Sequence, residues 1–154
     1  MEYQNFNTEE TRTEKPTKDF LINNSVGKPT AAFISASWVA LFAGMASYCI
    51  GLWNVDMLLN EKGYYFAILL FGLFSVISVQ KSVRDKQEGI PVTDAYYSIS
   101  WVTTLASILL LVIGLWNADL ELSEKGFYGM SFTLSVYAAI SVQKNTRDLK
   151  LFNE

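Results

Sequence analysis

Four long stretches of this chain carry no charged side chain: no Asp, Glu, Lys or Arg occurs from Ala31 to Trp53, Gly63 to Val79, Ala95 to Trp116 or Gly126 to Val142. A helix at a water-facing surface keeps a polar face, whereas one that is apolar all round lies in a deep core or in lipid. A chain of 154 residues has no interior large enough to hide four such segments, so lipid is the expected surrounding. Ala31 to Trp53 spans about 35 Å as a helix, enough to cross a hydrocarbon core of roughly 30 Å. Gly63 to Val79 spans only about 26 Å, at the lower limit, and lengthens if Met57 to Lys62 joins it. The pattern predicts an all-α integral membrane protein with four transmembrane helices.

The polar interruptions repeat. Gly51-Leu52-Trp53-Asn54-Val55-Asp56, followed by Glu61-Lys62-Gly63, returns 63 positions later as Gly114-Leu115-Trp116-Asn117-Ala118-Asp119 and Glu124-Lys125-Gly126. Gln80-Lys81-Ser82-Val83-Arg84-Asp85 returns as Gln143-Lys144-Asn145-Thr146-Arg147-Asp148. Aligned without gaps, 51–85 and 114–148 share 17 of 35 residues. Each unit crosses the membrane twice, so both enter from the same side. They are parallel repeats, expected to be related by a pseudo-twofold axis along the membrane normal.

The chain divides into a polar tail (1–30), a first two-helix unit (31–85), a linker (86–92) with Gly89 and Pro91, a second unit (93–148) and a polar end (149–154). The tail lacks periodicity apart from Phe20-Leu21-Ile22, and reads as a cytoplasmic arm. No cleavable signal peptide is visible, so the first transmembrane helix is expected to direct insertion. Thr30 and Thr93 are placed to cap the first and third helices. Trp53 and Trp116 end two apolar runs where indoles favour the headgroup level. Asn54 and Asn117 follow, suited to a left-handed helix end. The returning helices start either at Asp56 and Asp119 or at Asn60 and Ser123, all of which carry capping chemistry. Ala32, Ala36, Ala40 and Gly44 form one strip of small residues, and Ser131, Ser135 and Ala139 another, where a second helix can approach closely. Lys81 and Asp85 have the spacing of a helical ion pair.

Charge orients the array. Arg12, Lys15, Lys18 and Lys28 precede the first helix, Lys81, Arg84 and Lys86 lie between the units, and Lys144, Arg147 and Lys150 follow the fourth helix. The hairpin tips hold only Lys62 and Lys125. Positive charge is retained on the cytoplasmic side, which predicts an N-in/C-in topology. The composition agrees with a membrane protein: 51% apolar, 18% charged, mean hydropathy +0.21. The net charge of −3 marks no nucleic-acid partner. The single cysteine, Cys49, cannot close a disulfide within the chain.

The tandem GLWN-x-D…EKG-[YF]-Y tips and S-V-Q-K-x-x-RD ends resemble the YiaA/YiaB family of small bacterial inner-membrane proteins, over about residues 31 to 148. The resemblance implies two copies of a two-helix unit and residence in a bacterial cytoplasmic membrane. It brings no established activity or catalytic residue with it.

Chemistry is sparse. There is no histidine, so the commonest general base and metal ligand is missing. No glycine-rich phosphate loop or cysteine cluster occurs. No catalytic, cofactor-binding or metal site is assigned. Asp56, Glu61, Asp119 and Glu124 would hold a hard cation if the pseudo-axis gathered them, but capping at a solvated turn is the plainer role. The four apolar runs lack the ionisable groups that coupled transport uses. Their hydroxyls can bond back to their own helices. The expected function is that of a non-enzymatic accessory or structural membrane component acting through helix–helix association, as a homo-oligomer or with other membrane subunits. The alternative is an oligomeric channel or transporter for a small solute. Candidate interaction residues at the tips are Trp53, Asn54, Asp56, Glu61, Lys62, Trp116, Asn117, Asp119, Glu124 and Lys125. Candidate cytoplasmic anchors are Gln80, Lys81, Arg84, Asp85, Gln143, Lys144, Arg147 and Asp148.

Overall fold

The structure is a computed structural model that describes residues 28–151. The Phe20-Leu21-Ile22 patch and most of the polar tail lie outside the described residues. Four helices follow one another: α1 (Ala31–Asn54), α2 (Leu59–Gln87), α3 (Asp94–Asn117) and α4 (Leu122–Leu151). Three of them, α1, α2 and α3, are long and apolar enough to cross a membrane. At 30 residues α4 has the length, but Ser131, Thr133, Ser135 and Ser141 make it more polar.

The threonine caps form as expected. The Thr30 hydroxyl accepts from the Phe33 N–H at 3.3 Å and the Thr93 hydroxyl from Tyr96 at 3.4 Å. Neither expected start of the returning helices is used. Both helices begin between the two expected positions, at Leu59 and Leu122, because the third helical residue supplies the cap. The Glu61 carboxylate accepts from the Leu58 N–H at 2.9 Å, and Glu124 from the Glu121 N–H at 3.0 Å. Nor do Asn54 and Asn117 turn left-handed. Each remains helical and donates its amide to the carbonyl four residues back, Ile50 or Ile113, at 2.8 Å. The chain leaves the helix through extended Val55 and Ala118. Among the described residues the positive-φ position is Gly89, in the turn after α2, where a side chain would be strained.

Packing departs from two closed hairpins. α1 lies against α4 and α3 against α2, antiparallel in both pairs, while α2 and α4 meet in the middle; the partners within each hairpin touch only slightly. Exchanging the units converts one seam into the other, as a pseudo-twofold relation requires. Both tips lie at one end: Gly51 of the first meets Phe127 and Tyr128 just beyond the second. The Gln-Lys-x-x-Arg-Asp segments gather at the other.

Close approach follows the small residues. A Cβ at Gly44 would come within 2.6 Å of Ser135 Oγ, 2.9 Å of Ser135 N and 3.2 Å of Ser131 O. Ser131, Ser135 and Ala139, the expected strip on α4, are all buried. The expected strip on α1 is corrected. Gly44 is buried and Ala40 half-buried, but Ala32 and Ala36 are exposed. Each step of four turns a helix position by about 40°, so Ala36 and Ala32 have rotated off the buried face that Ser37, Gly44, Tyr48 and Leu52 share. Farther along the seam Asn145, 2% exposed, donates to the Ser37 hydroxyl at 3.0 Å.

Candidate functional site

The tips form one composite structure. Gly51 has the second unit's aromatic pair over it: its Cβ would stand 2.7 Å from Phe127 Cε1 and 3.2 Å from Tyr128 Cε1. Gly114 is covered in the same way by the first unit's pair, at 2.8 Å from Tyr64 Cε1 and 3.3 Å from Tyr65 Cε1. The glycine that opens each GLWN motif is therefore the seat of the [YF]-Y pair that closes the other copy. Tyr65 and Tyr128 stack at 6.2 Å between α2 and α4, and Tyr48 meets Tyr128 edge-on at 5.5 Å. Buried hydroxyls need partners. Tyr48, fully buried, donates to Tyr65 O at 3.1 Å, and the exposed Tyr64 donates to Leu110 O at 2.8 Å.

The polar residues of the motif close helix ends. Lys62 reaches back to Trp53 O at 3.2 Å and Lys125 to Trp116 O at 3.5 Å, each placing a cation at a helix C-terminus, where the helix dipole favours it. Trp53 and Trp116 stand outward, each 83% exposed, in keeping with a headgroup belt. Asp56 and Asp119 sit in the loops and, among the described residues, bond to nothing. Between α2 and the end of α3 is a cavity of about 370 Å³ lined by Asp56, Asn60, Glu61, Tyr64, Tyr65, Gly114, Asn117 and Asp119, with Met57 and Ala118. It draws on both units, so the tip candidates Asp56, Glu61, Asn117 and Asp119 do converge. Among the described residues no group of three or more His, Cys, Asp or Glu side chains stands close enough to hold a metal ion. Tyr64 and Tyr65 are the part of this site absent from the tip candidates; the repetition of Gly51 and Gly114 in both units is the signal that something covers them.

At the opposite end the two Gln-Lys-x-x-Arg-Asp segments line a cleft of about 210 Å³, with Gln80, Arg84 and Gln87 facing Gln143, Lys144, Arg147 and Asp148. Its cations are already matched. Lys81 and Arg84 pair with Asp85 at 3.1 and 3.4 Å, Lys144 with Asp148 at 3.9 Å, and Arg147 with Glu88. Asp85 lies on the extension of α2 past the uncharged stretch. The hydrogen bond from Lys81, helped by the charges of Lys81 and Arg84, holds its carboxyl below the usual carboxylate range against the opposing effect of desolvation. Arg84 Nε and Gln143 Oε1 are buried without a hydrogen-bond partner among the described residues.

At depth nine hydroxyls return to their own helices. Ser37, Ser75, Ser78, Ser100, Thr103, Thr104, Ser107, Thr133 and Ser135 each donate to a carbonyl three or four residues back, at 2.7–3.1 Å.

The yiaA/B two helix domain matches twice, over 33–85 and 96–148, which are the two units. The inner membrane protein YiaA of Escherichia coli strain K12 is 54% identical over 127 residues, covering 82% of this chain and 88% of that protein. The inner membrane protein YiaB of the same strain is 28% identical over 94 residues, 61% of this chain and 80% of that one. The Bacillus subtilis membrane protein YubF is 43% identical over 60 residues, 38% of this chain and 69% of its own length. No solved structure matches.

Proposed function

The chain belongs to the YiaA/YiaB family of two-helix membrane domains, and on that footing we propose that it is an accessory component of the membrane that works by helix–helix association and carries out no chemistry of its own. It is a multi-pass protein of the bacterial inner membrane. In this reading α4 is the fourth span, and both termini face the cytoplasm, since ten of the twelve Lys and Arg residues lie away from the tips. A fluorescent-protein or alkaline phosphatase fusion after Glu154 tests the orientation: fluorescence is expected, and phosphatase activity contradicts it.

One observation carries the reading. The repeated signature residues serve the fold itself: glycines seat aromatic pairs, glutamates start helices and lysines finish them. Nine of the hydroxyls at depth likewise bond back to their own helices, which leaves a monomer little with which to line a polar path. What the bundle offers outward is apolar: Phe42, Ile50, Phe74, Val102, Ile113 and Tyr137 are all exposed, for lipid or for another helix. Crosslinking in native membranes at native expression is expected to capture a homo-oligomer or a larger complex, and monomer alone would overturn the proposal. Liposomes carrying the protein are expected to leak ions and small solutes no faster than empty ones; faster flux would favour a channel.

A further inference from the structure

We propose that the cleft between the C-terminal ends of α2 and α4 binds the headgroup of an anionic phospholipid in which a singly charged phosphodiester carries a hydroxyl, the chemistry of phosphatidylglycerol. The inference stands apart from the association reading, and from the direction in which the bundle crosses the membrane, because both walls of the cleft belong to one chain.

Charge gives the sign of the ligand. Four cations gather at this end, Lys81, Arg84, Lys144 and Arg147, and they share three carboxylates, Asp85, Glu88 and Asp148. Asp85 serves both Lys81 and Arg84, so one positive charge is left over. A phosphodiester, which carries a single negative charge, balances it. The ion pairs also leave hydrogen-bond donors unspent. Lys144 stands 3.9 Å from Asp148, beyond hydrogen-bond reach, and Arg84 meets Asp85 at 3.4 Å, near the limit. A guanidinium holds five N–H donors in a planar fork that fits phosphate oxygens. Arg84 and Arg147 bring one such fork from each unit to the same cleft of about 210 Å³.

Two buried atoms are the independent sign that something belongs there. Arg84 Nε and Gln143 Oε1 are shut off from water and have no hydrogen-bond partner among the described residues, and both residues line the cleft. Buried polar atoms are costly to leave unpaired. Their needs are opposite: the arginine nitrogen requires an acceptor and the glutamine oxygen a donor. A phosphate oxygen supplies the first and a headgroup hydroxyl the second, once the two side chains turn toward the cleft. Depth gives the source of the ligand. The uncharged stretches of α2 and α4 end at Val79 and Val142, and Arg84 and Arg147 lie five residues farther on, about 7.5 Å along a helix. The headgroup layer begins at the edge of the hydrocarbon core and is about 5–7 Å thick on each side. The two guanidinium groups therefore stand at the level of the lipid phosphates, where basic pockets between transmembrane helices receive headgroups.

The test is native mass spectrometry of the full-length protein, released from detergent micelles after titration with dioleoylphosphatidylglycerol. Saturable binding of one lipid is expected. Dioleoylphosphatidylcholine, which has no net charge, should bind about tenfold more weakly. Dioleoylphosphatidylmethanol keeps the charge but lacks the headgroup hydroxyl, and should bind about threefold more weakly, the loss of one hydrogen bond. Arg84→Gln should weaken phosphatidylglycerol binding by about tenfold. Lys144 is largely exposed, so Lys144→Gln is expected to fold as the wild type and to weaken binding by about threefold. Gln143→Leu should erase the preference for phosphatidylglycerol over phosphatidylmethanol. Lys86→Gln removes a cation at the same end but outside the cleft, and should leave the affinity unchanged. The deacylated headgroup, glycerophosphoglycerol, should not displace the lipid at equal concentration; displacement would overturn the lipid assignment. Absence of saturation, equal affinity for phosphatidylcholine, equal losses in Lys86→Gln and Arg84→Gln, or an undiminished headgroup preference in Gln143→Leu would each overturn the proposal.

Discussion

Gly44→Ala adds one methyl group where α1 and α4 come closest. The new carbon would stand 2.9 Å from Ser135 N and 3.2 Å from Ser131 O, both backbone atoms that cannot rotate aside. Favourable contact between such atoms begins near 3.5 Å, so the helices must part by about 0.5 Å. A gap of that size forfeits roughly a quarter of the dispersion energy of the contacts it opens. The Asn145–Ser37 hydrogen bond, at 3.0 Å on the same seam, would lengthen toward its limit. Overpacking of this kind costs about 1–3 kcal/mol. Gly63→Ala provides the contrast. Nothing lies within 4 Å of its Cβ position, so alanine's helix preference should stabilise α2 by about 0.5–1 kcal/mol. Unfolding in mixed dodecylmaltoside–SDS micelles, followed by circular dichroism, measures both. Gly44→Ala within about 0.5 kcal/mol of wild type, or Gly63→Ala as harmful as Gly44→Ala, would refute the packing argument.

Two further outcomes are expected. A double-mutant cycle between Ser37→Ala and Asn145→Ala should yield a coupling of about 0.6–2 kcal/mol, the range of interhelical hydrogen bonds in membranes, and a coupling of zero would deny the contact. Because the Asp85 carboxyl is held below its ordinary range, its ion pairs stabilise the folded state above pH ~4, where the unfolded carboxylate is ionised, and that contribution is lost as pH falls through the folded value. Acid titration of stability should therefore show a smaller loss in Asp85→Asn than in wild type; identical profiles would remove Asp85 from the account.

The four helices, their tips and the repeat were legible because charge is absent from the helices and concentrated at their ends. The helix partners were not. A helix in lipid is apolar on every side, so periodicity does not single out the face that meets protein. Gly44, Ser131 and Ser135 pointed to a close seam, but Ala32 and Ala36 pointed just as well and are exposed. The tip site was half legible. Its carboxylates could be named from their repetition, whereas the tyrosines that wall it resemble any aromatic belt until Gly51 and Gly114 are seen beneath the other unit's rings. The helix starts were misplaced because Asp, Asn and Ser all have capping chemistry, and the glutamate one turn inside each helix had the better geometry.

The exchange of partners between units, α1 with α4 and α3 with α2, is the claim on which the rest depends. It is measured most directly by disulfide formation in native membranes, in a Cys49→Ala background. Ser37→Cys with Asn145→Cys should crosslink readily and run as a monomer, while Ser37→Cys with Ser82→Cys, the corresponding pair inside one hairpin, should stay reduced. Efficient crosslinking of the 37–82 pair and none of 37–145 would mean that each hairpin closes on itself, and the packing described here would be wrong.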